Sequence, residues 1–170
     1  MNAKNQITVL LVEDHKLVRI GLRTVLEDTA RIRIVGEATT VKEGVAAALR
    51  FRPNVAVIDI RLPDGTGFDV CRKIKATLPE SKALLLTSFI DDHLVLEAIS
   101  AGADGYLLKS EEQDIAAAIE TVAAGGAVLD PAVTRRMLNQ GREKNPVTAI
   151  VPPLALLSKQ ELRVIELVAG

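Results

Sequence analysis

The sequence predicts an α/β fold built on a five-stranded parallel sheet with helices on both faces. Between Ile7 and about Gly125, short Val/Ile/Leu-rich runs alternate with stretches whose apolar residues recur at helical spacing. The third and fourth of these runs are almost unbroken in apolar residues, as strands covered on both faces are. With 48% hydrophobic residues in 170, the chain can bury a real core and leave a smaller appendage.

The strand runs are Ile7–Val12, Ile32–Glu37, Val55–Ile58, Ala83–Thr87 and Gly105–Leu108. Each is about the length of a buried strand. Leu17, Gly21, Leu22, Val25 and Leu26 are expected on one helical face, and Val41, Val45, Ala48 and Leu49 on another. Phe68, Cys71, Ile74 and Leu78 form a third stripe; Ile115, Ile119 and Val122 form the last. Asp91–Gly102 reads as the remaining helix, with a more continuous apolar run at Leu94–Leu96. These segments define a first domain over residues 5–126.

After Gly125-Gly126 the pattern changes. Asp130-Pro131 is an N-cap and first turn for a short helix over Ala132 to about Asn139. Gly141–Pro153, with Pro146, Pro152 and Pro153, reads as a linker, so 127–154 is expected to be a helix plus linker. Ser158 and Glu161 form a capping box before a last helix, Lys159–Ala169.

Composition excludes several classes. A formal net charge of −1 argues against a broad basic surface for nucleic acid. With no Trp and 2% aromatics, base-stacking platforms are not expected. The one cysteine, Cys71, leaves no disulfide framework and no Cys-based metal site; it lies on an apolar stripe and reads as core. No apolar run is long enough to span a membrane, and Met1–Gln6 lacks a signal-peptide core, so a cytoplasmic protein with no membrane partner is expected.

In a parallel sheet the functional groups gather at the carboxyl ends of the strands. There the sequence has Glu13-Asp14, Asp59, Thr87-Ser88 and Lys109. Clustered carboxylates repel one another, and a divalent cation resolves the conflict. Mg²⁺, or Mn²⁺ in its place, favours such hard oxygen donors. Asp14 and Asp59 are candidate direct ligands, Glu13 a ligand through water and the Arg61 backbone carbonyl a further donor. Such a site suits phosphoryl transfer: Asp59 as nucleophile, Lys109 and the metal against the phosphoryl oxygens, Thr87 donating a hydrogen bond. A lone carboxylate after a strand is more often a turn former or cap, so the case rests on all four strand ends together. His15 and His93 read as surface or first-turn residues, and Pro63–Gly67 as a turn and helix start.

The blocks Leu11-Val-Glu-Asp14, Ile58-Asp-Ile-Arg-Leu-Pro-Asp-Gly-Thr-Gly67, Leu85-Leu-Thr-Ser88 and Gly102-Ala-Asp-Gly-Tyr-Leu-Leu-Lys109 resemble the signature blocks of bacterial response-regulator receivers, in family order and spacing. The resemblance implies a flavodoxin-like (βα)5 receiver. It further implies that Asp59 takes phosphate from a sensor histidine kinase beside Mg²⁺. Glu13 and Asp14 would be the acid pair, Thr87 the switch hydroxyl, Lys109 the phosphate lysine and Tyr106 the switch aromatic that turns inward. Two features depart from the family: the acid pair is Glu-Asp, and Ser110 follows Lys109 where proline is frequent. A non-proline cis bond costs roughly 3 kcal/mol, which favours trans but leaves the isomer of the Lys109–Ser110 bond open at the level of sequence. On sequence alone Tyr106 fits equally a half-buried strand aromatic with its hydroxyl in water.

Residues 157–170 resemble the opening helix of a LuxR-type helix-turn-helix domain, so 155–170 is expected to be its first helix. This implies the NarL/LuxR branch, a homodimer, and DNA as a partner only of the full-length protein, since the recognition helix would follow Gly170. The competing readings are a receiver acting as relay or binding module, and a phosphatase with an aspartyl nucleophile. The second needs an acid/base two residues after Asp59, where Arg61 stands. A dinucleotide fold fails because the first strand leads into Glu-Asp-His and no Gly-rich turn.

Overall fold

A computed structural model describes the backbone of residues 5–89, 91–110 and 114–144, with side chains as far as 139. Five parallel strands form where expected: β1 (Ile7–Val12), β2 (Ile32–Ala38), β3 (Val55–Asp59), β6 (Lys82–Thr87) and β7 (Gly105–Leu108). Between β3 and β6 lies a two-stranded hairpin, β4 (Arg61–Leu62) and β5 (Gly65–Thr66), at the place read as a turn. The helices are α1 (Lys16–Glu27), α2 (Val41–Phe51), α3 (Gly67–Thr77), α4 (Asp92–Ser100), α5 (Ile115–Ala123) and α6 (Pro131–Lys144).

The main sheet has one strand more than expected. β8 (Val128–Leu129) pairs in parallel with β7, giving the order β2-β1-β3-β6-β7-β8. Two residues carry too little periodicity to be read as a strand. Packing thus runs past residue 126: Val133 on α6 has no exposure. α6 also continues five residues beyond Asn139, through Gly141. A mid-helix glycine costs about 1 kcal/mol relative to alanine, which weakens a helix without ending it. The first residues of the linker expected at Gly141–Pro153 are thus helical as far as Lys144; the rest of that linker and the last helix lie outside the described residues.

Alternation along the strands divides the core in two. Leu10, Val12, Ala56, Ile58, Ala83, Leu85 and Tyr106 face α2, α3, α4 and α6. Val9, Leu11, Val55, Val57, Leu84, Leu86 and Leu107 face α1 and α5. Each fully buried Leu or Ile is worth about 1.5–3 kcal/mol, so both layers are needed to offset chain entropy.

The expected face of α1 needs correction. Leu22 and Leu26 are buried, with Val18 packed beside them, but Leu17 is 84% and Val25 58% exposed. The rows 18-22-26 and 17-21-25 both repeat every four residues, one position apart; spacing alone does not say which row meets the sheet. On α2, Leu49 likewise faces solvent while Ala48 is buried.

Cys71 is fully buried and its Sγ donates to the Ala101 carbonyl at 3.3 Å. Burial pushes the thiol up to about 12, so at pH 8 it remains protonated and enclosed. Alkylation at pH 8 is therefore expected to be at least ~10²-fold slower in the native protein than in denaturant. Stopped-time labelling read by mass checks this; a native rate equal to that of a free thiol would refute the placement.

Candidate functional site

Strand register brings the site together. Val12 is level with Ile58, Asp59 with Leu86, and Thr87 with Leu108. The chain continues the ladder beyond the last pairs. Glu13 N–H donates to Ala38 O (2.9 Å), Ile60 N–H to Leu86 O (3.1 Å) and Lys109 N–H to Thr87 O (2.7 Å). Glu13, Asp59, Thr87 and Lys109 therefore leave the sheet at one level. The Lys109–Ser110 bond, left open by the sequence, is trans, since no described peptide is cis.

The first turn of α3 presses on the acidic strand end. Thr66 and Asp69 form a reciprocal capping box, and Gly67 N–H donates to Ile60 O at 2.8 Å. A Cβ on Gly67 would sit 2.3 Å from the Asp59 carbonyl oxygen, so only glycine fits that approach.

Lys109 bridges two buried carboxylates. Its Nζ lies 2.6 Å from Glu13 Oε2 and 3.2 Å from Asp59 Oδ1. The side chains of Glu13 and Asp59 are 2% and 6% exposed. Burial, and then the Glu13 charge, raise the Asp59 pKa above the aspartate norm; Lys109 and the Arg61 backbone N–H oppose this without cancelling it.

Glu13 Oε1 accepts from the N–H of His15 at 3.1 Å, holding the N-cap residue of α1, which makes no side-chain cap of its own. Asp14 Oδ1 is buried and makes no hydrogen bond, although His15 Nδ1 lies 3.1 Å away. Donor atoms of Glu13, Asp14, His15 and Asp59 lie within 4.8 Å of one another. His15 is 68% exposed, the surface residue expected, yet it borders the cluster. An all-carboxylate core with one unsatisfied buried oxygen suits a hard divalent cation.

Thr87 turns its hydroxyl to Phe89, accepting from its N–H (3.2 Å) and donating to its carbonyl (3.1 Å). Tyr106 is 2% exposed, so the reading of a half-buried aromatic with a wet hydroxyl does not hold. Its hydroxyl is buried without a hydrogen-bond partner. Burial raises its pKa, with the nearby Thr87 side chain working the other way. The Arg61 guanidinium lies over the Phe89 ring, 4.6 Å from its centroid, at the rim of the site.

Sequence reasoning missed Arg19. Its Nη1 donates to the Glu13 carbonyl at 2.9 Å, and its Nε reaches Glu37 at 3.3 Å. A helical arginine reads as a solvated charge, and nothing in the sequence marks this one.

The raised Asp59 pKa sets a pH dependence in EDTA. Between the unfolded value near 3.8 and the higher folded one, the native state holds more protons. Stability contributed by this group is present below 3.8 and is lost as pH rises through the folded pKa. Asp59→Asn should therefore be more stable than wild type at pH 7, and the gap should shrink towards pH 4. Urea titrations across that range measure it; a gap that widens on acidification contradicts the assignment.

Comparison with known proteins gives a consistent result. Residues 9–120 match the response regulator receiver domain. The chain is 38% identical over 149 residues to the DNA-binding transcriptional activator DevR/DosR of Mycobacterium tuberculosis, covering 85% of this chain and 69% of that protein. It is 35% identical over 164 residues to the response regulator protein VraR of Staphylococcus aureus, covering 96% and 76%. The crystal structure of a LuxR-family two-component response regulator from Aurantimonas sp. SI85-9A1 superposes with a TM-score of 0.76 at 28% identity, covering 82% of this chain and 99% of that one. Flavodoxin-like fold, acidic strand ends and relatives agree: the chain belongs to the response-regulator receiver family, as a NarL/LuxR-type two-component regulator that controls transcription.

Proposed function

We propose that Asp59 is the phosphoacceptor of this regulator and that Lys109, Thr87 and Tyr106 read its phosphorylation. The observation that carries the reading is the Lys109 ammonium held between Glu13 and Asp59 in one buried cluster at the strand ends. A carboxylate kept there with a raised pKa and an adjacent ammonium is set up to accept a tetrahedral anion.

Phosphate would come from a phosphohistidine of a sensor kinase. An Asp59 carboxylate oxygen forms the new P–O bond as the P–N bond to the imidazole breaks, and the departing ring nitrogen takes up a proton. Asp14 and Asp59, the Arg61 backbone carbonyl, and Glu13 through water would hold Mg²⁺ or Mn²⁺. When bound, the cation supplies positive charge to the oxygens of the transferring group. Lys109 then exchanges its contact with Glu13 or Asp59 for a phosphoryl oxygen. Thr87 turns its hydroxyl from Phe89 to another.

Tyr106 already lies inward. Phosphorylation would therefore hold an arrangement the unmodified chain can adopt, which is a population shift. Beyond the receiver, 127–154 is proposed as helix plus linker and 155–170 as the first helix of the output domain. DNA binding as a homodimer would belong to the full-length protein, working in the cytoplasm with its kinase. The name of the DevR/DosR relative, a DNA-binding transcriptional activator, supports the DNA-binding part of this reading; no helix among the described residues is long and apolar enough to cross a membrane.

Incubation with acetyl phosphate and Mg²⁺, read by intact mass, tests the acceptor. Wild type should take up one phosphoryl group and Asp59→Asn none, with EDTA suppressing the reaction. Lys109→Ala should label ~10²-fold more slowly, the loss usual when one preorganised donor is removed. Labelling of Asp59→Asn at wild-type rate would refute the assignment, and rapid turnover of a phosphoester would favour an enzyme.

A further inference from the structure

We propose that Arg19, with Glu37, is the positioning residue that sets the acid pair for cation binding. The inference rests on the metal role proposed for Glu13 and Asp14. Arg19 lies on the first turns of α1 with its side chain 18% exposed, and Glu37 on β2 with its side chain 27% exposed. Its Nη1 donates to the Glu13 carbonyl at 2.9 Å while its Nε lies 3.3 Å from Glu37 Oε2. Arg23 holds the other oxygen of Glu37, Oε1, at 3.2 Å. The guanidinium is thus fixed at both ends by groups that are themselves fixed.

The effect follows from peptide planarity. The Glu13 carbonyl belongs to the same rigid unit as the Asp14 N–H, so anchoring one orients the Cα from which the Asp14 side chain leaves. On its other side Glu13 N–H is held by Ala38 O at 2.9 Å. Both peptide planes flanking Glu13 are therefore set, one by the sheet and one by Arg19. This directs Glu13 Oε2 to Lys109 at 2.6 Å. It also leaves Asp14 Oδ1 buried and without a hydrogen bond. A fork donor spanning two acceptors suits the task; a lysine reaches one at a time.

Positioning and charge predict opposite signs. As a nearby positive charge, Arg19 would weaken cation binding, and its removal would tighten it. As a positioning residue, its removal weakens binding. Mn²⁺ affinity of the full chain, measured by titration with electron paramagnetic resonance, separates the two. Arg19→Ala should bind Mn²⁺ ~10-fold more weakly, the low end for groups that support metal ligands. Arg19→Lys should fall between it and wild type. Repeating the titration in ~1 M salt, where the Debye length is ~3 Å, should preserve the loss. If Arg19→Ala does not fold, Glu37→Gln carries the test in the same salt, with a several-fold loss expected. Arg19→Ala, or in its place Glu37→Gln, binding as tightly as wild type or tighter overturns this inference and leaves the acid pair's metal role intact. Failure of wild type itself to bind Mn²⁺ overturns both.

Discussion

Everything in the site follows from bringing like charges to one level at the end of a parallel sheet. The register that aligns Asp59 with Leu86 and Thr87 with Leu108 also buries two carboxylates within reach of each other. Left alone, that arrangement would favour protonation or local unfolding. One ammonium, Lys109, makes it tolerable but does not neutralise it, and the Asp59 pKa stays raised. A residual unfavourable field of this kind is what lets a small added group change the local equilibrium, because binding energy is available only where the resting state is unsatisfied.

The fold was legible because its signals are strong and local. Val55–Asp59 and Lys82–Thr87 lie at the sheet centre with almost every residue buried, and an apolar run of that length has few other solutions. The α3 stripe of Phe68, Cys71, Ile74 and Leu78 was equally plain, since the charged residues Asp69, Arg72, Lys73 and Lys75 lie between its members. The α1 face was misread because two apolar rows run side by side and the sequence does not say which one meets the sheet. β8 escaped because two residues make no pattern. Their place in the sheet is fixed by backbone bonds, Val128 N–H to Asp104 O and Asp130 N–H to Tyr106 O.

The acidic and cationic members of the site were legible for a different reason: charged residues at the ends of apolar strands stand out. Arg19 did not stand out, because its work is done through a backbone carbonyl. The buried setting of Tyr106 was open for a related reason. Whether a strand aromatic is wet depends on what covers it, and here the cover comes from α4 and α6 on the same face of the sheet.

The extra βα unit changes how the domain can be divided. Val133 is fully buried on α6, Arg136 pairs with Asp92 of α4 at 3.1 Å, and Asp130 caps the helix from a buried position. A fragment ending at the double glycine would strip the sheet of its last strand and uncover apolar surface beside Tyr106. For fusing reporters or swapping output modules, a splice at the double glycine would therefore trade a folded boundary for a sticky one.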